Sequence, residues 1–429
     1  MQLKRREFLG SLVAGTAMAG TGANDRIRAA VIGMGGRGGD HMRLLAKVQG
    51  VEVAAFCDPD ETQMAKRAKE FESAGGKRPR LEPDLRRILE DKNIDVVTVA
   101  CCNHWHALSA IWACQAGKHV YVEKPVAHDV FDGRQMVEAS RRYNRIVQGG
   151  TQRRSNGFIR KGIQALRAGV IGDLYMARCV HFQLRDSLGF KEPETPPSTF
   201  HWDLWLGPAR QQPFHRNLAH YNWHWFWDFG NGELGNNGVH FIDIARWGLN
   251  ETLPVRVHST GGRFGYRDQG QTPNTQIATY EFEDGKQLVC EIRGRFTNQE
   301  TDSGYGVFFY GSEGYMRIDR DGVSVFRGKN RTAEPGLGKL EDVDRFETDQ
   351  DSHFNNFFDA VRKGDRSLLT AEIEETYRSS VFAILGNASC RLRRELRFDP
   401  KTLKCAGDAE ANRMLVGEYR KPFAVPEKV

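Results

Sequence analysis

The sequence predicts a two-domain chain that begins with a parallel α/β domain of the nucleotide-binding type. An apolar run at Ile27–Ile32 ends in a glycine-rich turn, and a second apolar run at Val51–Cys57 ends at Asp58. The turn has the G-x-G-x-x-G spacing at Gly33, Gly35 and Gly38. From there, strand-like and helix-like segments alternate to about residue 150, as a parallel sheet requires. These observations predict a Rossmann-type domain over residues 26–150.

Each residue of the glycine turn has a physical task. Gly33 allows the tight turn, Gly35 allows the backbone to approach a pyrophosphate, and Gly38 allows the next helix to pack on its strand. That helix begins near Gly36 and directs its N-terminus at the phosphates. Asp58 stands where a ribose-binding carboxylate is expected, and no arginine follows it directly to accept a 2′-phosphate. We therefore expect NAD as the cofactor, against the alternative of a purely structural strand–turn–helix.

The remaining elements of this domain follow from local periodicity and turn residues. Helices are predicted at Glu61–Ser73, Asp84–Glu90 and Trp105–Ala116, and strands at 79–81, Asp95–Ala100, Lys118–Val122 and Arg145–Gln148. Ligands of such sheets bind beyond the carboxyl ends of the strands. The groups placed along that rim are Gly33–Gly38, Asp58, Cys101–His104 and Glu123–Pro125.

Residues 1–22 have the features of an export signal. Arg5 and Arg6 precede Phe8 and Leu9 in the twin-arginine pattern, a short apolar segment follows, and Ala17–Ala19 offers a cleavage site. The apolar segment is shorter than the roughly 20 residues that cross a bilayer as a helix. We expect a periplasmic or otherwise exported protein, folded with its cofactor before transport.

Composition argues against several other classes of protein. The net charge of +6 arises from 61 basic and 55 acidic residues spread along the chain, and no basic block interleaved with aromatics points to nucleic acid. No further run is long and apolar enough to span a membrane. The eight cysteines are too sparse for a disulfide framework, and we expect Cys57, Cys101 and Cys102 to be free thiols.

Four stretches carry a family resemblance. They are residues 116–125 (Ala-Gly-Lys-His-Val-Tyr-Val-Glu-Lys-Pro), Asn103–His106, residues 202–208 and residues 235–247. Together with the glycine turn they resemble the glucose–fructose oxidoreductase / inositol dehydrogenase (Gfo/Idh/MocA) family. The resemblance covers roughly residues 26–395.

The resemblance implies an α+β second domain, residues 151–395, with a large, mainly antiparallel open sheet. Its sheet would form the contact of a homo-oligomer, a dimer or tetramer. Strand-like segments that fit this sheet lie at 174–184, 255–263, 275–283, 287–297 and 305–318, with a hairpin turn at Asp284–Gly285.

The resemblance also implies site roles. Lys124 would lie near the nicotinamide ribose and the substrate hydroxyl, and His240 would face the reacting carbon. The expected cofactor-binding residues are Gly33, Met34, Gly35, Gly36, Arg37, Gly38, Asp58, Asn103, His106, Glu123 and Lys124.

Elementary chemistry agrees with those two catalytic roles. Oxidation of a secondary alcohol releases a hydride and a proton. A histidine suits the proton, because its ordinary pKa of roughly 6.5 lies near working pH. A lysine stabilises the developing alkoxide electrostatically. The alternatives are a satisfied core histidine at His240 and a surface lysine at Lys124.

One position departs from the family pattern. Many members carry an aspartate four residues before the histidine, and this chain has Asn236, which cannot accept a proton. Asp243, three residues after His240, is predicted to orient the imidazole instead.

Residues 200–230 hold five of the eight tryptophans and four histidines. We expect this stretch to cover the crevice, with Trp223 and Trp225 stacking on a sugar, against the alternative of a tryptophan core between the domains. Gln152 and Arg153 are expected substrate contacts, although solvated arginines fit equally well. The histidine spacing matches no zinc template, so no metal is expected.

The end of the chain is predicted as a polar loop at about 329–350, helices at Ser352–Arg362 and Ala371–Arg391, and an extended tail over 396–429. The second helix is expected to pack back on the Rossmann domain.

Three functions remain open at this point. The first is an NAD-dependent oxidoreductase acting on a secondary hydroxyl of a sugar or sugar derivative. The second is a glycoside hydrolase that keeps NAD bound and oxidises a sugar carbon transiently, with net hydrolysis. The third is a non-catalytic sugar-binding protein. The fold alone does not separate them.

Overall fold

The computed structural model describes residues 26–295, 304–320, 322–328, 332–333 and 348–429. The predicted export signal at 1–22 and most of the predicted polar loop at 329–350 lie outside these residues. The described chain is organised around two sheets.

The first sheet has six parallel strands in the order β3-β2-β1-β4-β5-β6, which is the Rossmann order. The strands are β1 Ile27–Ile32, β2 Val51–Cys57, β3 Arg80–Glu82, β4 Val96–Val99, β5 His119–Val122 and β6 Val147–Gly149. Every residue of β4 is buried, as expected of a central strand covered by helices on both faces. The predicted Rossmann-type domain is confirmed.

Five helices connect these strands. They are α1 Gly36–Leu45, α2 Glu61–Ser73, α3 Leu85–Glu90, α4 Asn103–Gln115 and α5 Val130–Arg142. Local capping explains where two of them begin. The Asp60 carboxylate accepts the N–H of Thr62 at 2.8 Å before α2, and Asp129 and Asp132 cap α5 reciprocally.

The second sheet has ten strands in the order β14-β13-β12-β11-β7-β10-β9-β8-β15-β16. They are β7 Leu174–Phe182, β8 Arg256–Gly262, β9 Thr275–Glu281, β10 Gln287–Arg293, β11 Tyr305–Gly311, β12 Gly314–Asp319, β13 Gly322–Arg327, β14 Thr332–Ala333, β15 Leu396–Asp399 and β16 Lys404–Cys405. Its described pairings are antiparallel except that of β7 with β10. This confirms the mainly antiparallel second sheet.

Two details of this sheet bear on the sequence predictions. The hairpin at Asp284–Gly285 forms as predicted, and Gly285 adopts a φ of +86° there. The single strand predicted at 305–318 is wrong, because β11 and β12 pair as a hairpin in which Tyr310 faces Tyr315. Apolar residues continue on both sides of the short turn, so the pattern alone did not show the break.

The helices of the second half are α6 Gly157–Arg167, α7 Trp202–Leu206, α8 Val239–Leu249, α9 Thr348–Lys363, α10 Ile373–Leu392 and α11 Ala409–Met414. The long helix α10 makes hydrogen bonds to both domains. Within it, Phe382 O accepts the hydroxyl of Tyr280 from β9 at 2.8 Å, and the Tyr377 hydroxyl donates to Val130 O of α5 at 2.9 Å.

The extended tail predicted over 396–429 is wrong for much of its length. β15 pairs with β8 at the sheet edge, α11 follows, and the side chains of Phe423 and Val429 are buried in the core. The short alternation of Leu396 and Phe398 was too brief to predict a strand without its partner.

Two further observations concern the whole described chain. Among the residues described, no helix has the length and apolar character needed to cross a membrane. The eight cysteines, all of which lie in described segments, are free thiols, which confirms that prediction.

Candidate active site

A cleft of about 250 Å³ lies beyond the carboxyl ends of the Rossmann strands. Its walls come from both domains. From the first domain they include Gly33, Gly35, Gly36, Arg37, Asp58, Asn103, His106, Glu123 and Lys124, and from the second Leu204, Trp205, His220, Tyr221, Trp223 and Asn236. The residues expected to bind the cofactor therefore meet on one surface, apart from Met34 and Gly38.

The glycine turn leaves an open cradle at the cleft. Gly33 has a φ of +86°, and a Cβ there would lie 2.7 Å from the N of Cys101. A Cβ on Gly38 would lie 1.8 Å from Gly33 O, so Gly38 is a packing position that does not face the cleft. A Cβ on Gly35 or Gly36 would meet nothing within 4 Å. This space at the start of α1 fits a phosphate group approached by backbone N–H groups.

Asp58 is held by the turn it faces. Its Oδ2 accepts the N–H of Met34 at 2.6 Å, and its Oδ1 accepts the N–H of Asp60 at 2.8 Å. Burial raises the pKa of Asp58 to about 6, and these two hydrogen bonds oppose the rise. Met34 was predicted to contact the cofactor, but its N–H is taken by Asp58 and its side chain is buried in the core.

Glu123 is a buried anion at the end of β5. Its Oε1 lies 2.7 Å from Arg37 Nε and 3.0 Å from His41 Nε2. Burial alone would raise the pKa of Glu123, but the Arg37 charge and the hydrogen bond from His41 bring it well below its ordinary value. The glutamate therefore stays ionised and fixes Arg37 at the rim of the phosphate cradle.

Lys124 joins the two domains. Its ammonium donates a hydrogen bond of 2.8 Å to the backbone oxygen of Asn236. Burial lowers the pKa of Lys124, and the charges of Arg37 and Arg153 lower it further, while Glu123 and Glu233 act in the opposite direction. The cation stands at the cleft surface with its position set by the second domain.

His240 lies on the second residue of α8, one layer behind the cleft surface. It is 8 % exposed, and its Nδ1 has no hydrogen-bond partner among the described residues. Burial and the charges of Lys124 and Arg153 bring the pKa of His240 well below its ordinary value. The imidazole is therefore neutral at pH 7. α8 follows directly on a π-helical turn, Leu234–Gly238, a distortion frequent at functional sites.

The predicted contact of Asp243 with His240 is wrong. Asp243 is 1 % exposed and pairs with Arg154 through bonds of 2.7 and 2.9 Å, while Ser379 donates to it at 2.6 Å. A bidentate arginine pair of this kind satisfies the carboxylate, which leaves it no role at the imidazole.

Of the other expected substrate-binding residues, some line the cleft and some do not. Trp223 and Asn236 line the cleft. Trp225 does not, since it is 3 % exposed and lies under the Arg263 guanidinium. Arg153 lies over the ring of Phe241 and also contacts Tyr305, beside His240 rather than in solvent. Gln152 starts the same 3-10 turn and is not among the cleft residues.

The tryptophan-rich stretch forms its own small core next to the cleft. Trp202 stacks on Trp205 with ring centroids 4.8 Å apart, and Phe200, Phe214 and Phe229 pack around them. The expected covering of the crevice is therefore built largely from a packed aromatic cluster, with Trp223 at its exposed edge.

This stretch is tied to the first domain close to Asp58. Thr199 O accepts the N–H of Glu61 at 3.0 Å, and Pro59 O accepts the N–H of His201 at 2.8 Å. His220 Nε2 lies 3.0 Å from Asp60 Oδ2. Residues 199–220 thus form a strap across the end of the cleft that holds Asp58.

A buried polar cluster behind the cleft was missed by the sequence analysis. Glu233, His181, His224 and Arg185 surround one another within hydrogen-bonding or ion-pair distance. Glu233 lies three residues before Asn236, just ahead of the 235–247 segment that carried the family resemblance, and this proximity was the available signal. Within the described ranges, no group of three or more histidine, cysteine or acidic side chains could hold a metal ion.

The fold and the cleft define a two-domain dinucleotide-binding enzyme. Residues 27–151 match the family model described as "Oxidoreductase family, NAD-binding Rossmann fold", and residues 188–425 match "Oxidoreductase family, C-terminal alpha/beta domain". The chain belongs to this GFO/IDH/MocA family of oxidoreductases. It is an NAD-dependent oxidoreductase by that membership.

Individual relatives agree. The chain is 29 % identical over 350 residues to inositol 2-dehydrogenase 3 of Saccharopolyspora erythraea, covering 79 % of this chain and 86 % of that protein. It is 33 % identical over 348 residues to inositol 2-dehydrogenase of Salmonella typhimurium, covering 79 % and 87 %. Its fold is similar to that of levoglucosan dehydrogenase in complex with NADH, with a TM-score of 0.67, 18 % identity, and coverage of 86 % and 98 %.

A shorter stretch of the chain is similar to a protein with a different kind of name. The chain is 31 % identical over 122 residues to a glycosyl hydrolase family 109 protein of Shewanella pealeana, covering 28 % of this chain and 27 % of that protein.

Proposed function

We propose that this protein oxidises a secondary hydroxyl group of a sugar or cyclic polyol. The observation that carries the proposal is the hydrogen bond between Lys124 Nζ of the first domain and Asn236 O of the second. It places a cation at the junction of the domains, next to the neutral His240. A bound alcohol at this junction would have Lys124 as an electrostatic stabiliser at the cleft surface and His240 as a base in the layer behind it.

The cofactor site fits NAD on this chain's own residues. The open space at Gly35 and Gly36 would receive the phosphates, Asp58 would accept hydrogen bonds from the adenosine ribose, and Lys124 would lie by the nicotinamide ribose. When bound, NAD supplies the hydride acceptor. Asn103, His106 and the Glu123–Arg37 pair complete the wall of the cleft.

The proton is handled by two residues in this proposal. Lys124 would donate a hydrogen bond to the substrate oxygen and stabilise its negative charge as the hydride leaves. His240 would receive the proton, because its lowered pKa keeps the imidazole unprotonated at pH 7. Asn236 would contribute its backbone oxygen, which orients Lys124.

A polyhydroxylated substrate suits the surroundings of Lys124. Trp223 offers an aromatic surface at the cleft, and the side chains behind it are polar. The named relatives act on inositol, and the neighbouring solved structure is a levoglucosan dehydrogenase, which supports a cyclic polyol or sugar.

The strap supports a second candidate, NAD-assisted hydrolysis of a glycoside. Backbone hydrogen bonds at Thr199 and His201 close the second domain over the cleft end that holds Asp58. Such a closure favours a cofactor that stays bound through the cycle, which net hydrolysis requires. The local similarity to a glycosyl hydrolase family 109 protein supports the same candidate.

One experiment separates the two. The purified protein is incubated with NAD and a panel of free sugars, inositols and aryl glycosides, and NADH absorbance and aglycone release are followed separately. Oxidation predicts stoichiometric NADH with a free sugar or inositol. Aglycone release without NADH would establish the hydrolytic candidate, and neither signal across the panel would contradict both.

We also propose export by the twin-arginine pathway, on the pattern at Arg5 and Arg6. Replacing both arginines by lysine should leave the precursor in the cytoplasm. A double variant that still reaches the periplasm would contradict this assignment.

We further propose a homo-oligomer formed through the open face of the second sheet. On that face Ile277 of β9 is 44 % exposed, and Tyr315 of β12 stacks on Phe326 of β13 further along the sheet. Sedimentation analysis should show a dimer or tetramer, and Ile277→Lys should shift it toward the monomer.

A further inference from the structure

Glu233 is an acidic side chain enclosed beside the proposed reaction centre. It is 2 % exposed and stands immediately before the π-helical turn Leu234–Gly238. Its Oε1 accepts hydrogen bonds from Arg185 Nη2 at 2.7 Å and from the side-chain amide of Asn237. The carboxylate is therefore anchored on the same turn whose backbone oxygen, at Asn236, holds Lys124.

The second oxygen of this carboxylate is not used by the fold. Glu233 Oε2 has no hydrogen-bond partner in the part of the chain that the structure describes, and the same holds for the facing His224 Nε2, 3.9 Å away. His224 Nδ1 lies 2.8 Å from Tyr221 O, so the ring hydrogen belongs on Nδ1 and Nε2 is an acceptor. A carboxylate retained only to bind Arg185 would not leave one oxygen unsatisfied in a buried position.

The charge of Glu233 persists in this enclosure. Burial would raise its pKa, but the nearby His181 imidazole and the charge of Arg185 bring that pKa well below its ordinary value. His224 is neutral, because burial lowers its pKa to about 4. The net contribution of the pair to its surroundings is a single negative charge.

The negative charge of Glu233 acts on the Lys124 ammonium. The Lys124 ammonium makes one hydrogen bond to described residues, the bond to Asn236 O. The ionisable groups that act on Lys124 from the elements around it are Arg37, Glu123, Arg153, Glu233, His224 and His240. Glu123 is already paired with Arg37 and His41, so Glu233 is the second domain's anionic contribution.

We propose that Glu233 is a positioning residue for catalysis, which keeps Lys124 protonated at the reaction centre and holds the turn that orients it. The proposal rests on the oxidoreductase function proposed above. It assigns to the second domain a carboxylate, that of Glu233, which acts electrostatically on Lys124. Glu233 lies three residues before Asn236 in the sequence.

The direct test is the pKa of Lys124, measured by nuclear magnetic resonance after ¹³C-methylation of the lysines, with Lys124→Arg identifying its signal. Glu233→Gln removes the charge and keeps the shape, so the Lys124 pKa should fall by about one unit. The double variant Glu233→Gln/Asn236→Asp restores a carboxylate on the same turn and should bring the pKa back up. Glu291→Gln is the matched control, because Glu291 is also buried and arginine-paired but lies on β10.

Activity provides the second readout. The rate of sugar oxidation by wild type should fall as the pH rises through the Lys124 pKa, and in Glu233→Gln that fall should move to lower pH by the same amount. If Glu233→Gln does not fold, Asn236→Asp alone is measured, and the added carboxylate should raise the Lys124 pKa. An unchanged pKa in the folded Glu233→Gln protein, or in Asn236→Asp, would overturn the proposal. A shifted pKa without any sugar oxidation would instead contradict the proposed function.

Discussion

The Lys124 ammonium of the Rossmann domain is hydrogen-bonded to the backbone oxygen of Asn236 in the second domain, at 2.8 Å. This contact crosses the domain junction at the point where the nucleotide cleft ends. It ties the position of the cation to the turn that leads into α8 and His240. The proposed site is therefore built from both domains where they meet.

Removing this cation should impair the reaction and leave the cofactor site intact. We expect Lys124→Ala to reduce kcat by about 10²- to 10⁴-fold, because a positioned acid–base or electrostatic group contributes on that scale. NAD binding should remain, since the phosphate cradle at Gly35 and Gly36 does not depend on the lysine. Steady-state kinetics and NAD titration check the two parts, and loss of NAD binding alone would show a structural role.

Asp58 should determine the choice of dinucleotide and make it depend on pH. Its carboxylate would accept hydrogen bonds from the ribose and repel a 2′-phosphate, so Asp58→Ala should narrow the preference for NAD over NADP. Since burial raises the Asp58 pKa to about 6, the affinity for NAD should weaken as the pH falls through that value. Tighter binding of NADP than NAD by the wild-type protein would contradict this.

The buried neutral histidines should make the folded protein less stable as the pH falls. Burial lowers the pKa of His128 and of His353 to about 4 and of His104 to about 3. In the unfolded chain each would titrate near its ordinary value of about 6.5. At these three positions the unfolded state therefore binds more protons between these values, and their contribution to the free energy of unfolding should decrease as the pH falls from 6.5 toward 4. Urea unfolding at several pH values checks this, and a flat profile would contradict it.

The strap should slow exchange of the cofactor. His220 faces Asp60 at 3.0 Å across the cleft end, and it is partly exposed. We expect His220→Ala to speed NADH release about two- to fivefold, the scale of an exposed ion pair. Stopped-flow fluorescence measures the rate, with the exposed His258→Ala on β8 as control. Equal acceleration in both variants would show that the strap contact is not responsible.

The parts predicted well from sequence were those with a strong local signal. The glycine turn and the Rossmann strands depend on short periodic runs and on spacing. The site in the second domain depends on contacts between distant residues. Asp243 was expected to orient the imidazole of His240, yet it pairs with Arg154, which lies 89 positions away in the chain. Trp225 and Trp223 look alike in the sequence, and only the packing of residues 199–230 shows that one is core and the other lines the cleft.

Glu233 illustrates the same limit. Its burial and its contact with Arg185 follow from how β7 and the turn before α8 come together, which no local pattern specifies. Likewise, the break between β11 and β12 and the edge strand β15 are set by pairing partners, and the chain's apolar pattern is compatible with other arrangements.

The central claim is that His240 receives the proton released by the substrate hydroxyl. The most direct measurement is single-turnover NADH formation by His240→Ala with the sugar or inositol that the wild-type protein oxidises, over a range of pH. Removal of the base should slow this step by about 10²- to 10⁴-fold, with NAD binding and folding preserved. The residual rate should increase with pH as solvent hydroxide replaces the imidazole. Near-normal single-turnover oxidation by folded His240→Ala would contradict the account.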